Sequence, residues 1–334
     1  VVGSNISPEV YLRQEPDVVA GNPKMVMGRS SLMKFLACPH KWLKSVQDDS
    51  ESLRWGNVID CALLTPESFQ RRFVVAPETY PAAKGEEKPW NFNATYCKGW
   101  RSDRESEGFS VIKSSDMAEA NAAVKAMEEN DFAVELLKSS GKQTMLVGEY
   151  HDEATGIVVP LKALLDFEPV KEIVDGFDLK PSPFARYLGD LKTTESAAPR
   201  AFEKSIYTYN YDAQAWLSLT LYNAATGERR DGWQFIIQEN SAPFETPDRH
   251  PAIYEGGEFM QTGEAKVMRA LKLYCQCLKT GIWPSYPLGS RMKIGNSAYV
   301  ANPEPWMLKQ IVEGMDEIVI PSEQPKAETN DVIP

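Results

Sequence analysis

The sequence predicts a mixed α/β fold, with a central mixed sheet flanked by helices and a helical addition on its N-terminal side. Three observations predict it. Apolar residues recur at helical spacing through the first third of the chain, strand-like runs begin near Gln143, and helix, strand and helix then alternate to about Gly281. The chain has 334 residues, 43% hydrophobic and 25% charged, enough for a substantial core in one elaborated domain or two smaller ones.

Residues 1–28 hold Pro8, Pro16 and Pro23 without periodicity and read as an irregular segment. A mainly helical part follows over 29–140. Ser30 or Ser31 can cap a helix through Leu32, Phe35 and Leu36, which Pro39 ends or kinks. A second helix is expected from Leu53 to Leu64, then a short turn at Pro66 to Phe69. Residues 76–107 are rich in Pro, Gly, Lys and Glu and read as a long loop or mobile insertion. Asp116 can cap a helix whose apolar positions run through Ala118, Ala122, Val124 and Met127 toward Phe132 and Leu137.

The α/β core is expected over 141–285. Thr144 to His151 and Ile157 to Phe167 read as a hairpin around Asp152-Glu153-Ala154-Thr155-Gly156, with Gly156 free to take a positive φ. Strands are expected over 171–177, 187–193, 233–239 and 251–254. One helix is favoured over 199–225, with Pro199 in its first turn, and another over 258–280, stopped by Gly281. Residues 286–334 form a C-terminal extension whose Glu, Pro, Lys and Asn content beyond Pro321 predicts a disordered tail.

The formal charge of −11, from 36 basic and 47 acidic residues, argues against coating a nucleic acid over the whole surface but leaves room for a local basic channel. Arg71-Arg72 and Arg229-Arg230 fit phosphate contacts or solvated surface equally well. No apolar run approaches the ~20 residues that cross a bilayer, and no signal peptide is visible, so a cytoplasmic protein is expected. Cys38, Cys61, Cys97, Cys275 and Cys277 are odd in number and read as reduced thiols. His40, His151 and His250 form no zinc spacing.

The chemistry concentrates in Asp190-Leu191-Lys192. Residues two apart on a strand share a face, so Asp190 and Lys192 point one way and Leu191 the other. With Asp166 on the preceding strand they make the smallest set that can cut a phosphodiester with Mg²⁺, which takes carboxylate, water and phosphate oxygens. Glu149 reads equally as a third acid or an exposed strand residue. In the helix that follows, Tyr211, Gln214 and Tyr222 lie on nearby stripes, where Gln214 can orient the lysine or a phosphate.

These segments resemble the PD-(D/E)XK nuclease superfamily, within its RecB-like and RecE-like exonucleases. Leu165-Asp166, Gly189-Asp190-Leu191-Lys192-Thr193 and Tyr211-Asp212-Ala213-Gln214-Ala215 with Tyr222 follow that family's D…DLKT…QxxxY-like order. Trp55-Gly56-Asn57-Val58-Ile59-Asp60 and Leu63-Leu64-Thr65-Pro66-Glu67-Ser68-Phe69 are similar to the G-x-x-x-H…L-x-P-E-x-F segment of the exonuclease VIII type, and Ser30-Ser31-Leu32 with Cys38-Pro39-His40 to its opening helix. Asp60 stands where that family has His, and remains a hard oxygen donor. The resemblance implies a PD-(D/E)XK core that hydrolyses phosphodiesters of linear double-stranded DNA with Mg²⁺ or Mn²⁺. Asp166 and Asp190 would hold the metal, with Glu149 and Asp60 as further ligands. Lys192 would act on the attacking water, Gln214 would support it, and Tyr222 would line the site. It further implies 5′-to-3′ digestion from duplex ends, a homo-oligomeric ring, a single-strand annealing partner, and a phage or prophage gene expressed in a bacterial cytoplasm. Asp60 and the acidic balance also suit a different reading, a protein of the same fold that binds DNA or a partner without cutting.

Overall fold

The computed structural model describes residues 2–3, 24–44, 51–82, 86–175, 178–286, 293–294, 298–299 and 301. In chain order the elements are β1 (Val2–Gly3), α1 (Arg29–Ala37), α2 (Pro39–Lys44), α3 (Glu51–Leu64), a 3₁₀ turn (Pro66–Ser68), α4 (Phe69–Arg72), β2 (Phe73–Val75), β3 (Thr79–Pro81), β4 (Glu87–Pro89), α5 (Thr95–Ser106), β5 (Ser110–Ile112), α6 (Ser114–Glu128) and α7 (Asp131–Lys138). Then come β6 (Ser140–Asp152), β7 (Ile157–Pro169), β8 (Glu172–Asp175), β9 (Asp178–Pro181), β10 (Tyr187–Thr194), α8 (Pro199–Thr208), α9 (Tyr211–Thr226), β11 (Gly232–Glu239), β12 (Ala252–Tyr254) and α10 (Glu258–Thr280). Residues 1–286 pack as one unit; residues 287–334 form a second, in which Lys293–Ile294 pairs with Ala298–Tyr299.

The main sheet runs β1-β6-β7-β10-β11-β12. All its pairs are antiparallel except β10 with β11, which are parallel and joined by α8 and α9. Parallel neighbours need such a crossover, because no hairpin can return the chain to the same end. The sheet separates two apolar groups. One joins α1, α9 and α10 to the strands through Phe35, Leu188, Leu217, Phe235 and Tyr274. The other joins α3, α6 and α7 to them through Ile59, Met127, Leu136, Leu191 and Ile236. Leu188 and Leu191 of β10 thus bury on opposite sides, which turns Asp190 and Lys192 to the α9 side.

The first group is anchored by edge-to-face rings, with Phe35 5.4 Å from Trp42 and 5.3 Å from Tyr274. Such pairs contribute about 0.5–1.5 kcal/mol beyond the area they bury. They fix α1 and α2 against α10, and so fix where α1 begins. Between α9 and α10 the contact is closer still. Gly263 faces the Asp212 carbonyl, where a Cβ would come within 2.2 Å. Fully buried Asp212 accepts from Lys266 at 2.8 Å and from the Thr262 hydroxyl at 2.8 Å. Burial of this carboxylate is tolerable because each oxygen has a donor.

The hairpin, with Gly156 at φ +73, and the α10 stop at Gly281, φ +70, stand where the sequence predicts them. Four expectations need correction. Residues 76–107 are not a loop: they hold the β3–β4 hairpin and α5. Tyr80, Trp90, Phe92, Tyr96 and Trp100 pack together there, a local aromatic cluster that polar composition hides. The helix expected over 199–225 breaks at Asn210, whose φ of 56 is left-handed, a conformation Asn tolerates better than most residues. The strand expected over 171–177 is a small separate hairpin, β8 with β9. Asp116 does not precede its helix; it sits inside the first turn and accepts from the Lys113 backbone N–H at 3.0 Å. The tail beyond Pro321 lies outside the described residues.

Candidate active site

β7 and β10 meet through the pair Gly189↔Phe167. Antiparallel counting from that pair sets Asp190 opposite Asp166. The approach is tight: a Cβ on Gly189 would lie 2.0 Å from the Phe167 ring and 2.3 Å from the Gln234 carbonyl oxygen. One residue further, the Leu191 N–H bonds the Asp166 carboxylate (Oδ2, 3.0 Å) instead of a backbone carbonyl. The strands part at this point, and the carboxylates face the gap.

A cavity of about 280 Å³ opens there. Asp60 of α3, Asp166 and Lys162 of β7, Asp190 and Lys192 of β10, Gln214 and Ser218 of α9, and Arg29 at the start of α1 line it. The Asp166 and Asp190 carboxyls lie within hydrogen-bonding reach of each other. The Lys192 ammonium is paired with Asp190 Oδ2 and lies 5.2 Å from the centre of the Tyr211 ring. Gln214 donates from Nε2 to Asp190 Oδ1 at 3.0 Å and accepts on Oε1 from Arg29 at 3.0 Å. Thus Arg29, Gln214, Asp190 and Lys192 form one chain of polar contacts.

The electrostatics follow from crowding acids in a buried place. Asp166 is held well above the usual carboxylate range by burial, with Asp190 and Asp60 adding to the effect and Lys192 opposing it. Asp60 is pushed up to about 7, first by burial, with Lys192 and Arg72 opposing and Asp190 adding. Lys192 is depressed by burial but raised further by Asp190 and Asp166, and ends above its ordinary value. An acid whose folded pKa is raised stabilises the fold below its ordinary pKa and loses that contribution as pH rises through the folded one. In chelator, Asp60→Asn should therefore gain stability relative to the unsubstituted chain as pH climbs from 3.8 through about 7. Thermal melts at stepped pH measure this; a constant difference across the range would contradict it.

Gln143, which the sequence reading passed over, closes the back of the site. It is buried, its backbone is left-handed at φ 53 within β6, and its Nε2 donates to Asp166 Oδ1 at 3.1 Å. Held strain of this sort concentrates where a side chain must be aimed. Both Gln143→Leu and Gln143→Gly should lower cleavage roughly tenfold or more, the scale of a lost hydrogen bond to a charged group. Only Gln143→Gly should keep thermal stability, since glycine relieves the backbone. Full activity in Gln143→Gly would show that the amide is dispensable.

Two sequence-predicted residues stand elsewhere. Glu149 is exposed, bonded to His151 at 3.2 Å, and borders a different hollow with Gly148 and Trp216. Register sets it opposite Pro160, six residues along β7 from Asp166. Tyr222 does not line the cavity: its hydroxyl donates to Glu168 at 2.8 Å and accepts from buried Arg230 at 3.0 Å. The position one helical turn after Gln214 belongs to Ser218, which does line it. Arg29, Gln143, Lys162 and Ser218 are the site residues that sequence reasoning missed. Only Ser218, four positions after Gln214, carried a spacing signal.

Among the described residues, no group of three or more His, Cys, Asp or Glu side chains is arranged to hold an ion as it stands. The oxygens of Asp166 and Asp190 are engaged by Gln143, the Leu191 N–H, Gln214 and Lys192. The donor set nonetheless fits a hard divalent cation: carboxylates converge in one buried cavity, and burial before all else raises Asp60 and Asp166. The five cysteines are free and buried. Among the described residues no helix is long and apolar enough to cross a membrane.

Residues 181–290 match the model of a family described as a PDDEXK-like domain of unknown function (DUF3799). No curated protein matches the chain. Among solved structures, that of a "Putative exonuclease" from Eubacterium rectale is 13% identical, covers 92% of this chain and 98% of its own, and superposes with a TM-score of 0.51. Identity that low speaks for the fold alone. The crystal structure of SSO0001, 12% identical over 77% of this chain and 96% of its own, reaches a TM-score of 0.24 and carries no weight. The mixed sheet, the paired aspartates and lysine on adjoining strands, and the matched segment agree: residues 181–290 match a PDDEXK-like domain, and the chain has the PD-(D/E)XK fold.

Proposed function

We propose that the chain is a metal-dependent exodeoxyribonuclease that hydrolyses linear double-stranded DNA from its ends. One observation carries the reading: the Asp166 and Asp190 carboxyls meet inside a cavity with the Lys192 ammonium against Asp190. Asp166 and Asp190 would hold Mg²⁺ or Mn²⁺, with Asp60 as a third oxygen donor in place of the family's His. A bound divalent ion supplies charge neutralisation at the phosphate and a lowered pKa for water. The protein's own part is positional and electrostatic. Gln143 and the Leu191 N–H aim Asp166, Gln214 aims Asp190, and Lys192 stabilises negative charge growing on the phosphate oxygens. Lys192 is also placed to orient the attacking water.

Digestion from 5′ to 3′, a ring of identical subunits, a single-strand annealing partner, and a phage or prophage origin with action in a bacterial cytoplasm belong to the same proposal. Their support is the RecE-like order of motifs along the chain. The test is incubation of purified protein with linear and closed circular duplex, in Mg²⁺, in Mn²⁺ and in chelator. Metal-dependent loss of linear DNA with circles spared is expected. Nicked circles would point to an endonuclease. DNA binding without cleavage in either metal would favour the non-cutting alternative.

A further inference from the structure

We propose that Tyr209, at the corner between α8 and α9, stacks on an unpaired nucleobase of the strand being cut. The inference rests on the nuclease reading and adds to it that the nucleotide beside the cut phosphate has left its duplex partner.

The corner reads Tyr207-Thr208-Tyr209-Asn210-Tyr211. Tyr207 and Tyr209 are 63% and 58% exposed, large rings left open to solvent on well-anchored helices. Left-handed Asn210 lets the chain turn sharply there, so Tyr209 faces out while Tyr211 is half-buried against Phe202 and Phe235. Tyr209 reaches two residues that line the cavity, Lys192 and Arg29, by way of Tyr211. Its ring lies 5.7 Å from that of Tyr211 at an interplanar angle of 34°. The Tyr211 ring carries the Lys192 ammonium at 5.2 Å and the Arg29 guanidinium at 6.0 Å. Arg29, which supports Gln214, also donates to the Tyr209 carbonyl at 3.3 Å. The aromatic path therefore starts at Lys192, beside Asp190, and ends in solvent one ring later.

Cations flank that path. Arg29 lines the cavity, and the Lys266 ammonium, itself paired with Asp212, lies 4.4 Å from the centre of the Tyr207 ring. Exposed rings set between cations are what a single strand requires: π-faces for its bases, positive charge for its phosphates. A paired base hides its face inside the duplex stack and offers nothing to such a ring. The same geometry suits a protein partner less well, because the path leads into a cavity lined by Asp166, Asp190 and Lys192.

The test is equilibrium binding of the full chain to short duplexes in Ca²⁺, with an abasic position placed in turn at each of the terminal nucleotides. Tyr209→Ala should weaken binding to intact DNA about tenfold, within the range of one base–aromatic stack. Tyr209→Phe and Tyr209→Trp should retain it. At one position the abasic substrate should lose a similar factor with the unsubstituted chain and lose nothing further with Tyr209→Ala. Losses that multiply, or a Tyr209→Ala variant that binds like the unsubstituted chain, would overturn the stacking role. So would a Tyr209→Ala variant altered in self-association but not in DNA binding. Cleavage of linear DNA indifferent to Tyr209 sinks this inference alone; absence of both binding and cleavage removes the nuclease reading with it.

Discussion

Lys192→Ala is expected to lower metal-dependent DNA cleavage by about a thousandfold, the middle of the range for losing a group that moves or stabilises charge in a transition state. The lysine is the sole cation paired with Asp190 among the ion pairs of the described residues. Its removal leaves Asp60, Asp166 and Asp190 facing one another, with Arg72 still opposing at Asp60, so the variant should also be less stable. Breaking a buried pair costs about 3–5 kcal/mol when the remaining charge stays ionised. Asp60 and Asp166, already raised by burial, have a way out, since they can take up protons. The stability loss should be large near pH 8 and shrink near pH 5, whereas the activity loss should persist at every pH. Melting curves paired with cleavage rates separate the two effects. A Lys192→Ala variant that cuts at near-normal rate would show that the site lies elsewhere. Lys192→Arg is not an adequate control, because a planar guanidinium cannot reproduce the compact ammonium between Asp190 and the Tyr211 ring.

Gly189→Ala should do comparable damage through the backbone. The added methyl would overlap the Phe167 ring on one side and the Gln234 carbonyl oxygen on the other. Phe167 is fully buried and cannot swing aside, and the carbonyl is fixed in the parallel β10–β11 ladder. Overfilling a packed core costs about 1–3 kcal/mol, and more where backbone must yield. We expect loss near the upper end, seen as a lowered midpoint in urea. Cleavage should fall as well, because any shift of β10 from β7 separates Asp190 from Asp166. A Gly189→Ala protein as stable as the unsubstituted chain would mean that β10 sits further from Phe167 than described.

The elements that sequence made legible share one trait: local pattern and tertiary contact agree. Helix α10 has apolar spacing and a glycine stop, and the β6–β7 hairpin has alternation and a turn that needs Gly156. The tripeptide from Asp190 to Lys192 is similar, since strand periodicity alone orients it. The misreadings come from contacts between distant residues. Nothing local marks Gln143 as the partner of Asp166, because its role depends on strand register. Arg29 meets Gln214 only after α1 has docked on α10. Glu149 looks equivalent to Asp166 because both are acids on neighbouring strands, yet register pairs it with Pro160, six residues further along β7. Tyr222 lies two turns beyond Gln214, near enough in sequence to suggest the cavity, but its hydroxyl completes the pocket around buried Arg230. The aromatic cluster between Tyr80 and Trp100 was hidden by the Pro and Gly that separate its members.

The departure of Leu191 from the ladder gives this protein a reporter of its own. Its amide hydrogen is held by a side-chain carboxylate, so the hold varies with what that carboxylate is doing. Deuterium uptake at this one amide should slow or quicken when a cation or a proton reaches Asp166, while the amides of β11 next door stay constant. Mass spectrometry or NMR could then follow ion loading residue by residue, in the absence of DNA and before any bond is cut.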